Sequence, residues 1–278
     1  MLKRTLTSIV IVGLIVGFLF LRTIDVRLFD IFLWGMALFG TFELQRAYGS
    51  RTTKFHKILA LVYCVVIYPA YVLTVPYGRA YIIAILIGFA LIAISSLVFS
   101  HKDATIEGIG LTLLSFVYPT ALLILISELS HQGHQGALIL AFVISPCTDA
   151  AAYIVGSLLK GPKLCPKISP NKTISGAIGG VIVGILSSVA VYLVFGNTIW
   201  SFALDCAYYA FIGLVCSLLT IFGDLVESQI KRKLQVKDMG KLLPGHGGVL
   251  DRIDGLLFSS TALYVAFCVI VKNTVFVI

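Results

Sequence analysis

Between Gly223 and Gly255, this chain of 278 residues sets acids, bases and glycines at spacings that suit the handling of a metal-bound anion. Asp224, Glu227, Ser228 and Lys231 follow i, i+3, i+4, i+7 and so share one face of a helix. Asp251 and Asp254 stand three apart just before an apolar run. Both would project from the first turn of a helix, whose positive end would steady them. Asp224, Asp251 and Asp254, brought together from two adjacent helix ends, would offer the oxygen ligands that magnesium prefers. Beside them lie Lys231, Arg232, Lys237, Lys241 and Arg252, and the run Pro244-Gly245-His246-Gly247-Gly248, whose glycines let main-chain amides wrap a phosphate. The plain alternative is an interfacial salt-bridge network of the same acids with Lys231, Arg232 and Arg252, which explains single residues better than the whole constellation. A Walker A loop is excluded, because Gly240-Lys241 is followed by Leu242.

A second cluster precedes it. Asp149, Tyr153, Gly156 and Lys160 follow i, i+4, i+7, i+11, again one helical stripe, and lead into Lys163, Lys167 and Ser169-Pro170-Asn171-Lys172-Thr173. An aspartate inside a membrane helix is a functional candidate by default, the alternative being a hydrogen bond to a neighbouring helix. The lysines of 163–172 either follow the general placement of positive charge beside membrane spans or bind phosphate as point charges. His131 and His134 read as a solvated loop, and Asp30, Glu43 and Asp205 as interfacial or interhelical groups. The six cysteines are scattered, with no Cys-x-x-Cys pair, and most fall in apolar runs where cysteine acts as a small hydrophobe.

The elements that must carry these residues are membrane helices. The chain is 59% hydrophobic and 12% charged, against about 25% charged in a soluble domain. Nine apolar stretches approach the roughly 20 residues that cross a bilayer core: 6–21, 28–42, 58–75, 80–100, 109–126, 137–159, 174–195, 202–225 and 256–271. They must be helical, because lipid offers their backbone groups no partners. The expected fold is therefore all-α, a polytopic integral membrane protein with about nine transmembrane helices and a cytosol-facing active site. It forms one membrane-embedded domain over 1–278, with N-terminal helices in 1–130 and catalytic helices and loops in 137–271. The first span follows Lys3 and Arg4 and lacks a small-residue cleavage site, so it is expected to stay as an anchor. With the N-terminus in the cytosol, 17 of the 21 lysines and arginines fall on the cytosolic side, leaving Arg22, Arg27, Arg79 and Lys272 outside with the C-terminus. The net charge of +8 is then a property of the inner face, suited to lipid headgroups and an anionic soluble substrate. Nucleic acid is not expected as a partner, while a homodimer is admitted.

Ser228-x-x-Lys231-Arg232, Lys237-Asp238-x-Gly240-Lys241, Pro244-Gly245-His246-Gly247-Gly248 and Asp251-Arg252-x-Asp254 together resemble the signature of phosphatidate cytidylyltransferases, the CDP-diacylglycerol synthases. Asp149-Ala150-Ala151-Ala152-Tyr153 and Ile168-Ser169-Pro170-x-Lys172-Thr173 are similar to the family's other recurring segments. Residues before about 130 resemble it only as apolar spans. One departure stands out: the family usually has Lys-Lys-Thr-x-Glu-Gly where this chain reads Asn171-Lys172-Thr173-Ile174-Ser175-Gly176. The resemblance implies condensation of CTP with phosphatidate at the bilayer surface, yielding CDP-diacylglycerol and pyrophosphate in phospholipid biosynthesis. It implies Mg2+ on Asp224, Asp251 and Asp254, with a second cation as an option. Lys231, Arg232 and Arg252 would face the triphosphate and leaving group. Ser228, Lys237, Lys241, His246, Gly247 and Gly248 lie in the signature, and Lys167 and Lys172 in or beside the earlier segment. Asp149 would position a metal, a lysine or the cytidine end. A secondary transporter coupling ions through Asp149 and Asp224 is the competing class, but charge peaks in a connection rather than mid-bilayer and no inverted repeat stands out. A CDP-alcohol phosphotransferase lacks its Asp-Gly-x-x-Ala-Arg hallmark here.

Overall fold

The computed structural model describes residues 2–74, 80–99, 103–133, 135–199, 206–243, 245 and 247–271. Its helices are α1 (Leu2–Ile24), α2 (Val26–Ala47), α3 (Lys54–Thr74), α4 (Ala80–Phe99), α5 (Ile106–Ser115), α6 (Leu122–His131), α7 (Gln135–Leu159), α8 (Ile174–Ile199), α9 (Cys206–Leu234) and α10 (Leu250–Tyr264). A π-helical segment, Phe116–Ala121, joins α5 to α6 around Pro119, and another, Val265–Val271, follows α10. Among the described residues seven helical spans are long and apolar enough to cross a bilayer: α2, α3, α4, α5 with α6, α7, α8 and α9. The other two expected spans are shorter as described, an apolar Ile9–Ile24 in α1 and the 15-residue α10. The protein is thus an all-α, multi-pass membrane protein.

Its contacts divide it into two compact units, Met1–Ile124 with Asp238–Arg252, and Leu125–Lys237 with Ile253–Ile278. The loop before α10 therefore belongs with the N-terminal helices.

In the first unit, polar side chains pin the apolar helices. Trp34 Nε1 donates to the Cys64 carbonyl at 3.1 Å, Gln45 Nε2 to Ser115 Oγ at 2.8 Å, and Thr41 and Thr120 hydroxyls meet at 3.1 Å. Buried His56 lies 2.9 Å from Thr53 Oγ1 and 3.0 Å from Ser96 Oγ. Such bonds are worth about 0.6–2 kcal/mol in a bilayer, where apolar contact alone gives helices little reason to associate. The lipid-like face of α4 shows the rule from the other side, since only Ala93 and Ser96 of it are buried.

In the second unit α7, α8 and α9 pack through small residues. A Cβ on Gly176 would lie 2.5 Å from the Ala152 carbonyl, so α8 crosses α7 at a distance only glycine allows. Between α7 and α8 the chain makes a two-stranded antiparallel ribbon, β1 (Lys163–Cys165) and β2 (Ser169–Thr173), where the sequence suggested a plain loop. Thr173 closes the ribbon and caps α8: its Oγ1 accepts from the Gly176 amide at 3.1 Å and from Ser175 Oγ at 3.2 Å.

Candidate active site

The second unit holds a cavity of about 700 Å³ between the end of α7, the ribbon, the start of α8 and the charged end of α9. The α7 stripe expected from the sequence lines it, as Asp149, Tyr153 and Gly156, with Lys160 just beyond the helix. Lys160 takes a left-handed backbone (φ 47°) while its amide still donates to the Gly156 carbonyl at 3.2 Å. The ribbon places Lys163, Asn171 and Lys172 on the wall, and α9 supplies Asp224. Lys172 and Asp224 form an ion pair, both about three-quarters shielded. Three lysines and two aspartates therefore face one hollow of a size usual for small-molecule sites, ~300–1,000 Å³.

Helix α9 runs nine residues past the apolar stretch read from the sequence, so Asp224, Glu227, Ser228 and Lys231 are all helical. Ser228 Oγ donates to Asp224 Oδ1 at 3.3 Å, and Lys231 Nζ to the fully buried Glu227 at 2.6 Å. Arg232 Nε donates to the Ile168 carbonyl at 3.2 Å, tying α9 to the ribbon turn. Lys231, Arg232 and Lys233 in the last turn also complement the helix dipole. Asp254 is buried in α10, one turn past Asp251 rather than in the first turn as the spacing suggested, and its Oδ1 accepts from the Gly255 amide at 2.8 Å. Burial first, and then the neighbouring charge of Asp224, push the Asp254 carboxyl up to about 6, against the pull of Glu227, the Gly255 amide and Lys231. A site that makes two carboxylates repel one another in low dielectric is one that a cation relieves. Asp224 and Asp254 thus fit a hard metal ion as oxygen donors. Among the described residues no group of three or more His, Cys, Asp and Glu side chains gathers into a metal site, so substrate oxygens and water would complete such a shell.

In the first unit the acids do something different. Asp251 Oδ2 accepts from the Met239 amide at 2.9 Å and from the Gly248 amide at 2.8 Å, closing the 239–248 loop onto the start of α10. Glu43, near the end of α2, reaches the same helix end: Oε1 accepts from the Val249 amide at 3.1 Å and Oε2 from the Leu250 amide at 3.0 Å. These are N-terminal amides that the helix itself leaves without partners. Gly240 and Gly248 both abut the Glu43 carboxylate, and any Cβ there would collide with it. Gly247 has φ 85° and pairs with Leu243, as a glycine-dependent turn requires.

Of the residues singled out in the sequence, Asp149, Lys172 and Asp224 share the cavity, with Ser228, Lys231 and Asp254 on or facing the same α9 stripe. Gly247 and Gly248 lie in the other unit's loop, and Asp251 at the start of α10 in that same unit. Lys167 is exposed at the ribbon turn, off the cavity wall, and Lys237, Lys241 and Arg252 are exposed. His246 lies outside the described residues. Ser175, where the family pattern has an acid, accepts from the Gly161 amide at 3.3 Å and supports the ribbon. Glu43 as a helix cap is the role the sequence did not disclose, whereas Lys160 and Lys163 belong to the second cluster read from it. An acid at the end of the apolar run of α2, which also holds Asp30, was the available signal for Glu43.

The chain matches the cytidylyltransferase family over residues 2–270. It is 41% identical to the phosphatidate cytidylyltransferase of Brucella suis over 128 residues, 46% of this chain and 45% of that protein. It is 43% identical to the one from Mycobacterium tuberculosis over 120 residues, 42% and 34% of the two chains. With the one from Staphylococcus epidermidis it shares 37% over 173 residues, 62% and 64% of the two. The chain spans about half the length of these relatives, from 34% to 64%.

Proposed function

The chain belongs to the cytidylyltransferase family, and we propose that it transfers a cytidylyl group from CTP to phosphatidate, releasing CDP-diacylglycerol and pyrophosphate. The observation that carries this reading is the 700 Å³ cavity in a membrane protein, walled by Lys160, Lys163 and Lys172 and by Asp149 and Asp224. A transporter would need its charges at mid-bilayer, whereas the three lysines of this cavity lie just past α7 and on a polar ribbon.

The phosphate monoester of phosphatidate, with a second pKa near ~6, is largely dianionic at neutral pH and needs no strong base. One of its oxygens forms a bond to the α-phosphorus of CTP as the bond from that phosphorus to the bridging oxygen of the β-phosphate breaks, and pyrophosphate leaves with that electron pair. The protein's task is to hold two polyanions in line and to offset their repulsion. Lys160, Lys163 and Lys172 are the point charges for this, and Lys172 exchanges Asp224 for a substrate oxygen. Lys231, held by Glu227, faces the charge that grows on the leaving group. Asp149, at the cavity wall, orients a lysine or the cytidine end. Magnesium, when bound, would neutralise the triphosphate and the departing pyrophosphate. We assign its protein ligands to Asp224 and Asp254, with Asp251, one helical turn earlier, as the third candidate and a second cation as an option. Gly247 and Gly248 are kept as candidates for phosphate contact by their place in the signature alone. The orientation proposed puts the N-terminus and the site in the cytosol and the C-terminus outside, following the 17 lysines and arginines counted above.

The test is a headgroup assay. Purified protein given labelled CTP and a panel of lipids should label phosphatidate alone, and only with a divalent metal. Label in another lipid, or turnover undiminished by chelator, would refute the assignment.

A further inference from the structure

The polar cavity does not end in polar walls. Leu164, Ala177 and Ile221 line it and also line a second hollow of about 470 Å³ that runs along α8 and α9. The remaining walls of that groove are apolar throughout, among them Ile178, Ile182, Leu218 and Phe222. Each of these four is more than half exposed, so the groove opens sideways along faces of spans that meet the bilayer. Phe222 is held edge-on against Phe258 at 5.8 Å, which fixes one wall. Cationic headgroup pocket and apolar groove, sharing three side chains within one unit, match an amphipathic anion rather than a soluble one.

We propose that this groove seats one acyl chain of the lipid substrate, so that Ile178, Ile182, Leu218 and Phe222 determine which acyl chains are accepted. The inference rests on the function given above and adds the lipid's binding path. The ammonium groups of Lys163 and Lys172 take the phosphate, and the groove takes the chain attached to it. In a bilayer the acyl chain gains little from leaving other hydrocarbon, because lipid is as apolar as the groove. The groove therefore selects by the fit of the chain rather than by apolarity alone, and its effect depends on chain length.

Ile182→Trp and Leu218→Trp fill the groove from positions where the added ring meets lipid rather than packed core, and Leu193→Trp, on an exposed part of α8 outside the groove, is the control. The full chain in detergent micelles is assayed with long-chain phosphatidate and with a short-chain, water-soluble phosphatidate. The expected result is a KM for the long-chain lipid raised about fivefold or more in both groove variants, a shift typical of an apolar pocket losing its fit. KM for the short-chain lipid and for CTP stays at the wild-type value, and Leu193→Trp changes neither. In parallel, a phosphatidate carrying a photoactivatable acyl chain should label α8 and α9 in competition with phosphatidate but not with phosphatidylcholine. Wild-type turnover with equal KM shifts for both chain lengths, or with none, overturns the groove. So does label competed equally by phosphatidylcholine, which would mark ordinary lipid. A change of oligomeric size in Ile182→Trp with unchanged KM also overturns it, since a second copy would then cover this face. Absent turnover of either lipid by the wild type, with selective label retained, would remove the proposed reaction and leave the groove as a phosphatidate site.

Discussion

The two units use the same side chain for opposite purposes. In the first, Glu43 and Asp251 are buried and spend their oxygens on main-chain amides: Val249 and Leu250 for one, Met239 and Gly248 for the other. In the second, Asp224, Glu227 and Asp254 face cations and one another: Asp224 pairs with Lys172, Glu227 with Lys231, and Asp254 sits against the charge of Asp224. A carboxylate satisfied by main-chain amides is a fastener, because those bonds fix a loop to a helix end. A carboxylate crowded by another in a buried place is poised, because the arrangement costs stability until a cation or a substrate charge completes it. The contrast supports the cavity proposed in the second unit as the reacting centre and gives Glu43 and Asp251 a loop to hold in the first.

The sharpest way to break the contrast is to neutralise each kind of acid. Asp224→Asn and Asp254→Asn should each lower kcat by about a hundredfold or more, the scale for losing an electrostatic group at the reacting centre, in a CTP turnover assay. Lys172→Met should act next most strongly, by about tenfold in kcat/KM for phosphatidate, since one point charge among several is lost. Glu43→Ala should instead act on stability. It leaves buried amides of Val249 and Leu250 without acceptors, at about 1–3 kcal/mol for such a group, read as a lower melting temperature in detergent. Glu43→Gln keeps an acceptor and should recover part of that loss.

The smallest effect is the most discriminating. Because the folded protein holds the Asp254 proton more tightly than the unfolded chain does, this group's contribution to stability is full below about 4 and falls as pH rises through about 6. In chelator, Asp254→Asn should therefore melt above wild type at pH 7 and lose that advantage near pH 4.

The helical stripes were readable in advance because period 3.6 survives any tertiary context: Asp224 to Lys231 and Asp149 to Gly156 lie as the spacing required. The first-turn position held for Asp251 alone: α10 begins at Leu250, which leaves Asp254 one turn further along. The ribbon was not readable, since strands of three and five residues that include Pro170 and Lys172 carry no alternation to detect. Glu43 was seen only as an interfacial acid because its partners are 206 and 207 residues away and are main-chain amides, which every residue type but proline provides. Residues 238–252 group with the N-terminal helices, and the sequence order of elements gave no sign of it.

The account is tested most directly by measuring turnover and melting temperature together on wild type, Asp254→Asn and Glu43→Gln, in magnesium with CTP and phosphatidate. The expected pattern is an Asp254→Asn protein that is folded and nearly inactive, beside a Glu43→Gln protein that melts lower and keeps most of its turnover per folded molecule. An active Asp254→Asn protein, or one inactive only because it has unfolded, would contradict it.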